Sequence, residues 1–106
     1  MPYIITRCWY PHHIADVVAK KYLEVMGKNP PDESISKTIV PAAVTSSKDG
    51  LEVLAINQVE RQKVGEALNR DARMMAEFRK IEGFNYETKS WATVEEALET
   101  IGLGGK

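Results

Sequence analysis

The period of hydrophobicity switches repeatedly between two and about 3.6 residues along this chain, and that order of switches limits the folds open to it. Tyr3–Tyr10 is dense in β-branched and aromatic residues and ends at Pro11, which predicts a strand closed by a turn. From His12 to Gly27 the period becomes helical. Ile14, Val18, Tyr22 and Val25 or Met26 share one side, while Asp16, Lys20, Glu24 and Lys28 alternate in sign along the other. Gly27, with Asn29, Pro30 and Pro31 behind it, is the expected stop.

After a polar connection over Pro30–Ser36, Lys37–Thr45 reads as a second strand. Pro41 interrupts it. A proline cannot donate to a sheet ladder, so this strand is expected at a sheet edge or with a bulge. Ser46-Ser47-Lys48-Asp49-Gly50 supplies turn chemistry, and Leu51–Val59 follows as the other arm of a hairpin. Glu60 to about Glu82 reads as a longer helix, with Val64, Leu68, Met75, Phe78 and Ile81 along one stripe and Gly83 as its cap. Its charges are expected to pair four apart, Glu66 with Arg70 and Arg73 with Glu77. Phe84–Trp91 alternates as a half-polar fourth strand. Thr93-Val94-Glu95-Glu96 fits a capping box that opens a short last helix through Ile101, ended by Gly102. The glycine-rich tail from Leu103 to Lys106 is expected to fray.

A length of 106 residues predicts one domain over 1–106, with a core at about 3–92 and the helix of 93–102 added to it. The 14 basic and 15 acidic residues nearly cancel, and they cancel within each half of the chain. That balance argues against a general grip on nucleic acid or on an anionic membrane. The first ten residues lack the features of a secretory signal, and a single cysteine, Cys8, fits a reducing compartment, so a cytoplasmic location is expected. No Cys/His cluster has metal-ligand spacing, and no metal is expected.

Strand, helix, strand, strand, helix, strand is the split βαβ order: an α+β, ferredoxin-like domain with a four-stranded antiparallel sheet and both helices on one face. The first and third strands are then central, and a sheet watered on one side should alternate cleanly. These strands do not. The first carries Ile4, Thr6 and Cys8 against Tyr3, Ile5, Arg7 and Trp9; the third carries Leu54 and Ile56 against Val53, Ala55 and Asn57. Both faces call for cover, and helices are available for one, so a second copy is expected on the other, giving a sheet-to-sheet homodimer or a higher oligomer.

In element order, strand character and length, residues 3–92 resemble the dimeric α/β-barrel superfamily, the ferredoxin-like group that includes antibiotic-biosynthesis-type monooxygenases, muconolactone isomerases and stress-responsive barrel proteins. The resemblance implies a dimeric α/β barrel. It brings no cofactor, because the Asn, His and Trp set of the family's haem-degrading members has no matching positions in this sequence.

If Arg7 faces away from the helices, alternation assigns Ile5, Trp9, Val53, Asn57, Glu87, Lys89 and Trp91 to the same side. Arg7 and Glu87 are then expected to pair across neighbouring strands, bordered by the indoles of Trp9 and Trp91, either as the wall of a pocket for a small aromatic or carboxylate ligand or as packing that holds a dimer. Tyr10 at the strand end and His12 at the helix start complete the ligand-pocket candidates. His12 and His13 sit at the positive end of the helix dipole, which favours the neutral ring. Cys8 is expected to be buried and inert.

Two functional classes follow. One is a binding or assembly protein that holds a small hydrophobic or aromatic molecule, or simply a partner copy, between two sheets. The alternative is a cofactor-independent monooxygenase or isomerase, in which Arg7 or His12 stabilises developing negative charge.

Overall fold

The computed structural model, which describes residues 1–103, forms its elements in the order the hydrophobic period predicts: β1 (Tyr3–Tyr10), α1 (Ala15–Lys28), β2 (Ser36–Ser47), β3 (Gly50–Val59), α2 (Val64–Ala76), β4 (Asn85–Trp91) and α3 (Val94–Glu99). The fraying expected of residues 104–106 lies outside the described residues. Strands pair antiparallel in the order β2-β3-β1-β4, so β1 and β3 are central, as their apolar content requires. This is an α+β fold compatible with the ferredoxin-like layout. No helix among the described residues is long and apolar enough to cross a membrane.

β2 is an edge strand, and its register against β3 shifts twice around Pro41, between Thr38 and Val40 and again between Val40 and Ala43. The proline and the bulge are one adaptation to the missing amide. At the other end of the hairpin Gly50 has φ +144°, and a Cβ there would stand 2.5 Å from the carbonyl oxygen of Tyr10, so the turn can approach β1 only with glycine at this position.

Helix ends differ from the periodic reading for identifiable reasons. α1 runs through Gly27 and stops two residues later. Asn29 ends it by donating its amide hydrogen back to Val25 and Met26 and its side-chain Nδ2 to the Val25 carbonyl at 2.9 Å. α2 ends at Ala76, well short of Glu82. Beyond it the chain continues in three-residue turns, with amides of Phe78, Ile81 and Phe84 bonding the carbonyls of Met75, Phe78 and Ile81. Apolar residues at 75, 78, 81 and 84 recur every three positions, which is the 3₁₀ period and not the α-helical one. The turns deliver Phe78 and Phe84 into the core as a stacked pair, 4.9 Å between centroids, with Tyr10 stacked on Phe84 at 5.9 Å.

The expected pairs Glu66–Arg70 and Arg73–Glu77 do not form. Arg70 instead donates to the Pro30 carbonyl at 2.6 Å, and Glu77 accepts from Lys28 at 2.8 Å, so these charges tie elements together that one helix alone could not.

Both helices cover the same face of the sheet. Cys8 packs with Val18 and Val25 of α1 and with Met75 and Phe78, and Ile4 packs with Val59 and Ala67 of α2. Along β1 this face is Ile4, Thr6 and Cys8, all buried, as the alternation predicts. The molecule is long and thin, 49 × 31 × 19 Å, with a radius of gyration of 15.5 Å. A globule of this length has a radius near ~13 Å.

Candidate functional site

The face of the sheet turned away from the helices is built by register. Arg7 lies opposite Leu54 and Glu87, Ile5 opposite Ile56 and Lys89, Trp9 opposite Glu52 and Asn85, and Tyr3 opposite Gln58 and Trp91. Residues directly opposite in an antiparallel pair share a face. Leu54 and Ile56 therefore stand beside Arg7 and Ile5, and Val40 of β2 joins them opposite Ile56. Tyr3, Ile5, Trp9, Val40, Leu54 and Ile56 are all half-buried, with no helix over them.

The same register corrects two of the expected assignments. Cys8 lies opposite Val53 and Ile4 opposite Asn57, so Val53 and Asn57 belong to the helix-covered face. Val53 indeed packs against the core of Cys8 and Phe78. Asn57 is thereby separated from Arg7 by the thickness of the sheet.

Arg7 and Glu87 are cross-strand neighbours in register, yet the ion pair forms elsewhere. Arg7 donates both Nε, at 3.1 Å, and a terminal nitrogen to a single oxygen, Oε2 of Glu52, while Glu87 pairs with Lys89 at 3.5 Å. The guanidinium also lies 5.2 Å from the centroid of the Trp9 ring, within cation–π range. The hydrogen bond to Glu52, then its charge, push the Arg7 pKa further above its already high value; Glu87 adds least. Arg7 is thus a fixed cation clamped on the indole.

Trp9 and Trp91 do not border one space. They lie at opposite ends of β1, and Trp91 sits four residues from Arg7 by register, about 13 Å along the strand. Each has its own shallow groove. One, of about 380 Å³, is open to solvent at the hairpin end of the sheet and is walled by Trp9, Tyr10, Pro11, Ser46, Leu51 and Glu52, among others. The second, about 510 Å³, lies by Trp91, Pro2, Arg61 and Glu96.

Tyr10 belongs mainly to the core through its stack on Phe84, and burial followed by the neighbouring Cys8 raises its phenol pKa. His12 begins a 3₁₀ turn, His12–Ile14, and makes no side-chain cap. Its Nε2 lies 2.6 Å from the carbonyl oxygen of Ser47. A carbonyl only accepts, so Nε2 carries the proton, and the ring pins the β2–β3 hairpin to the start of the helix. Cys8 is buried, and desolvation, followed by the charge of Asp71, pushes its thiol pKa up to about 12, which leaves it protonated and unreactive at neutral pH.

The sequence reading missed Asp71. Its Oδ2 accepts from Thr88 at 2.6 Å and from the buried Thr6 at 3.0 Å, so one carboxylate of α2 bolts β1 to β4 under the helix. Thr6 lies directly opposite Thr88, and two facing threonines on a covered face were the signal that a polar partner had to come from the helix above. This cluster is sealed from the open face and serves the fold.

Of the seven ligand-pocket candidates, the open face brings together Arg7, Trp9 and Glu87, and Glu52 joins them. Tyr10 and His12 flank the Trp9 groove from the core side and the hairpin, Asn57 lies behind the sheet, and Trp91 lies at its far end. No protein-family model, curated protein or solved structure matches this chain.

Proposed function

We propose that the working unit is a homodimer in which the open faces of two sheets pack on each other as a dimeric α/β barrel, with a small hydrophobic or aromatic molecule, or the side chains themselves, filling the space between. The observation that carries this reading is the uncovered cluster of Tyr3, Ile5, Trp9, Val40, Leu54 and Ile56 on the central strands and on one flank. Patches of this kind on a sheet mark an association surface. The charges on the same face are mixed, Arg7, Lys37 and Lys89 with Glu52 and Glu87, so the face presents no single-sign field to repel a second copy. The thin, extended body gives the same indication.

Binding and assembly are favoured over the oxygenase or isomerase alternative by the state of Arg7. An enzyme of that kind needs a cation free to meet developing charge. Here the guanidinium already donates to Glu52.

Sedimentation over a wide range of dilution, combined with native mass spectrometry of freshly purified protein, tests the proposal. Dimers are expected, with or without a bound small molecule, and Ile56→Asp is expected to give a folded monomer. A folded wild-type monomer at every concentration overturns it.

A further inference from the structure

The two edges of the sheet are built differently. β2 contains Pro41 and its register shifts twice, whereas β4 pairs with β1 without a shift from Asn85 to Trp91. The outer side of β4 has no strand against it, and among the described residues no turn or loop backbone bonds to it. A regular strand edge left unpaired is a template for another strand.

The sequence of β4 fits itself. A second copy turned about a two-fold axis perpendicular to the sheet pairs with it antiparallel and keeps the helices of both chains on one side. With that axis on Thr88 the whole strand pairs: Asn85 with the partner's Trp91, Tyr86 with the partner's Ser90, and Glu87 with the partner's Lys89. Opposite residues share a face, so carboxylate meets ammonium once in each half. Moving the axis by one residue, the smallest step that keeps the faces matched, shortens the pairing and sets Glu87 against Glu87 or Lys89 against Lys89. Like charges directly opposite are destabilising, so the register is defined.

The helix layer fits the same axis. α2 packs on β4 and β1. On its α1 side it carries Met74, in the core with Val18 and Val25, and Arg70, bonded to the Pro30 carbonyl. By the helical turn, the opposite flank, above the free edge of β4, holds Gly65, Leu68, Ala72 and Ala76, while Glu66, Arg70 and Arg73 lie elsewhere. Gly65 and Ala72 are exposed, and a Cβ on Gly65 would meet nothing within 4 Å. Two helices cover four strands, which is one helix for about 10 Å of sheet. Continuing the sheet through a second β4 thus sets the partner's α2 about 10 Å from α2, the spacing of helices in contact. Asp71 holds Thr88 at the axis, so Ala72 beside it stands where the two helices come nearest.

We propose that β4 is a self-pairing edge: two chains join through β4 on a two-fold axis at Thr88, giving one continuous sheet with a continuous helix layer. The occupant of the edge is a second copy of this chain. This contact uses neither open face, so it does not rest on the sheet-to-sheet dimer, and the two together make a tetramer. One short strand and one helix flank form a small interface, which is expected to assemble at concentrations on the order of 0.1 mM, above those at which the open faces associate.

Ile56→Asp, which disables the open face, isolates the edge. Sedimentation of this variant from about 1 μM to about 0.5 mM is expected to show the monomer passing into a dimer. Adding Lys89→Glu sets two pairs of carboxylates against each other and is expected to weaken that dimer by about tenfold, and adding Glu87→Lys as well restores it. In either background Y86C/S90C is expected to give a disulfide-linked dimer on mild oxidation. The two positions are about 13 Å apart along one strand, too far to link within a chain. They lie opposite Cys8 and Ile4, on the helix side that a sheet-to-sheet dimer keeps apart, and Cys8 itself is buried. An Ile56→Asp protein that stays monomeric throughout, a dimer indifferent to Lys89→Glu, or cysteines that do not link overturns the edge pairing and leaves the sheet-to-sheet dimer standing. A wild-type dimer that Lys89→Glu dissolves and Ile56→Asp does not supports the edge and overturns the open-face reading.

Discussion

The two faces of this sheet use the same strands and both carry large apolar residues, yet they are finished differently. Under the helices Thr6 and Thr88 share the Asp71 carboxylate, and no buried side-chain nitrogen or oxygen among the described residues lacks a partner. On the other face Ile5, Leu54, Ile56 and Trp9 sit half-exposed beside Arg7 and Glu52, which satisfy each other but cover nothing. One face is complete within the chain. The other has its charges in order and its apolar surface uncovered.

That contrast predicts unequal responses to mutation. The largest effect belongs to the covered face. Phe78→Ala removes a buried ring from the stack with Phe84 and is expected to cost about 3–5 kcal/mol in chemical denaturation. Ile56→Ala on the open face is expected to leave the diluted protein almost as stable as the wild type; an equal loss there would mean the faces are equivalent after all. Asp71→Ala comes next, at about 1–3 kcal/mol, because the Thr6 hydroxyl loses its acceptor in a dry site. Thr93→Ala removes one half of the capping box and is expected to cost about 1 kcal/mol, read as fraying of the last helix by hydrogen exchange.

Two titrations sharpen the comparison further. Cys8 has a folded pKa raised from 9.0 to about 12, so the stability it contributes is fully present below pH 9 and is lost as pH rises toward 12. In the native protein at pH 8 its thiol is expected to resist a disulfide reagent that modifies the unfolded chain at once. Glu96 runs the other way. The Thr93 amide, the amino terminus and Arg61 lower its pKa from 4.5 to about 2, so its contribution is full above pH 4.5 and lost as pH falls toward 2. Acid is therefore expected to loosen α3 before the covered core. The smallest effect is that of Glu52→Gln, which frees Arg7 from its clamp at the surface and is expected to leave the melting temperature of the diluted protein nearly unchanged.

Much of the fold was legible in the sequence because it is written locally. The limits of β1, the capping box of Thr93 and Glu96, the hairpin at Asp49-Gly50 and the edge position of β2 at Pro41 each depend on a few adjacent residues. The site was less legible because it depends on register. Alternation within β3 separates Leu54 and Ile56 from Val53 and Asn57, but only pairing with β1 decides which pair faces Arg7, and a shift of one residue reverses the answer. Arg7 likewise had two carboxylates in reach, Glu87 directly across one strand and Glu52 diagonally across the other, and side-chain geometry chose the diagonal. The early end of α2 was a matter of reading a spacing of three as though it were 3.6.

Pro41 has a consequence for what this chain cannot become. A twelve-residue edge strand with an unbroken row of amides is a template on which further chains can add without end, as fibres do. In β2 a proline stands near the middle, and the register beside it shifts twice, so the edge is not a flat, regular row. Strand-by-strand growth on the β2 edge meets an irregular backbone at that point in place of a flat template.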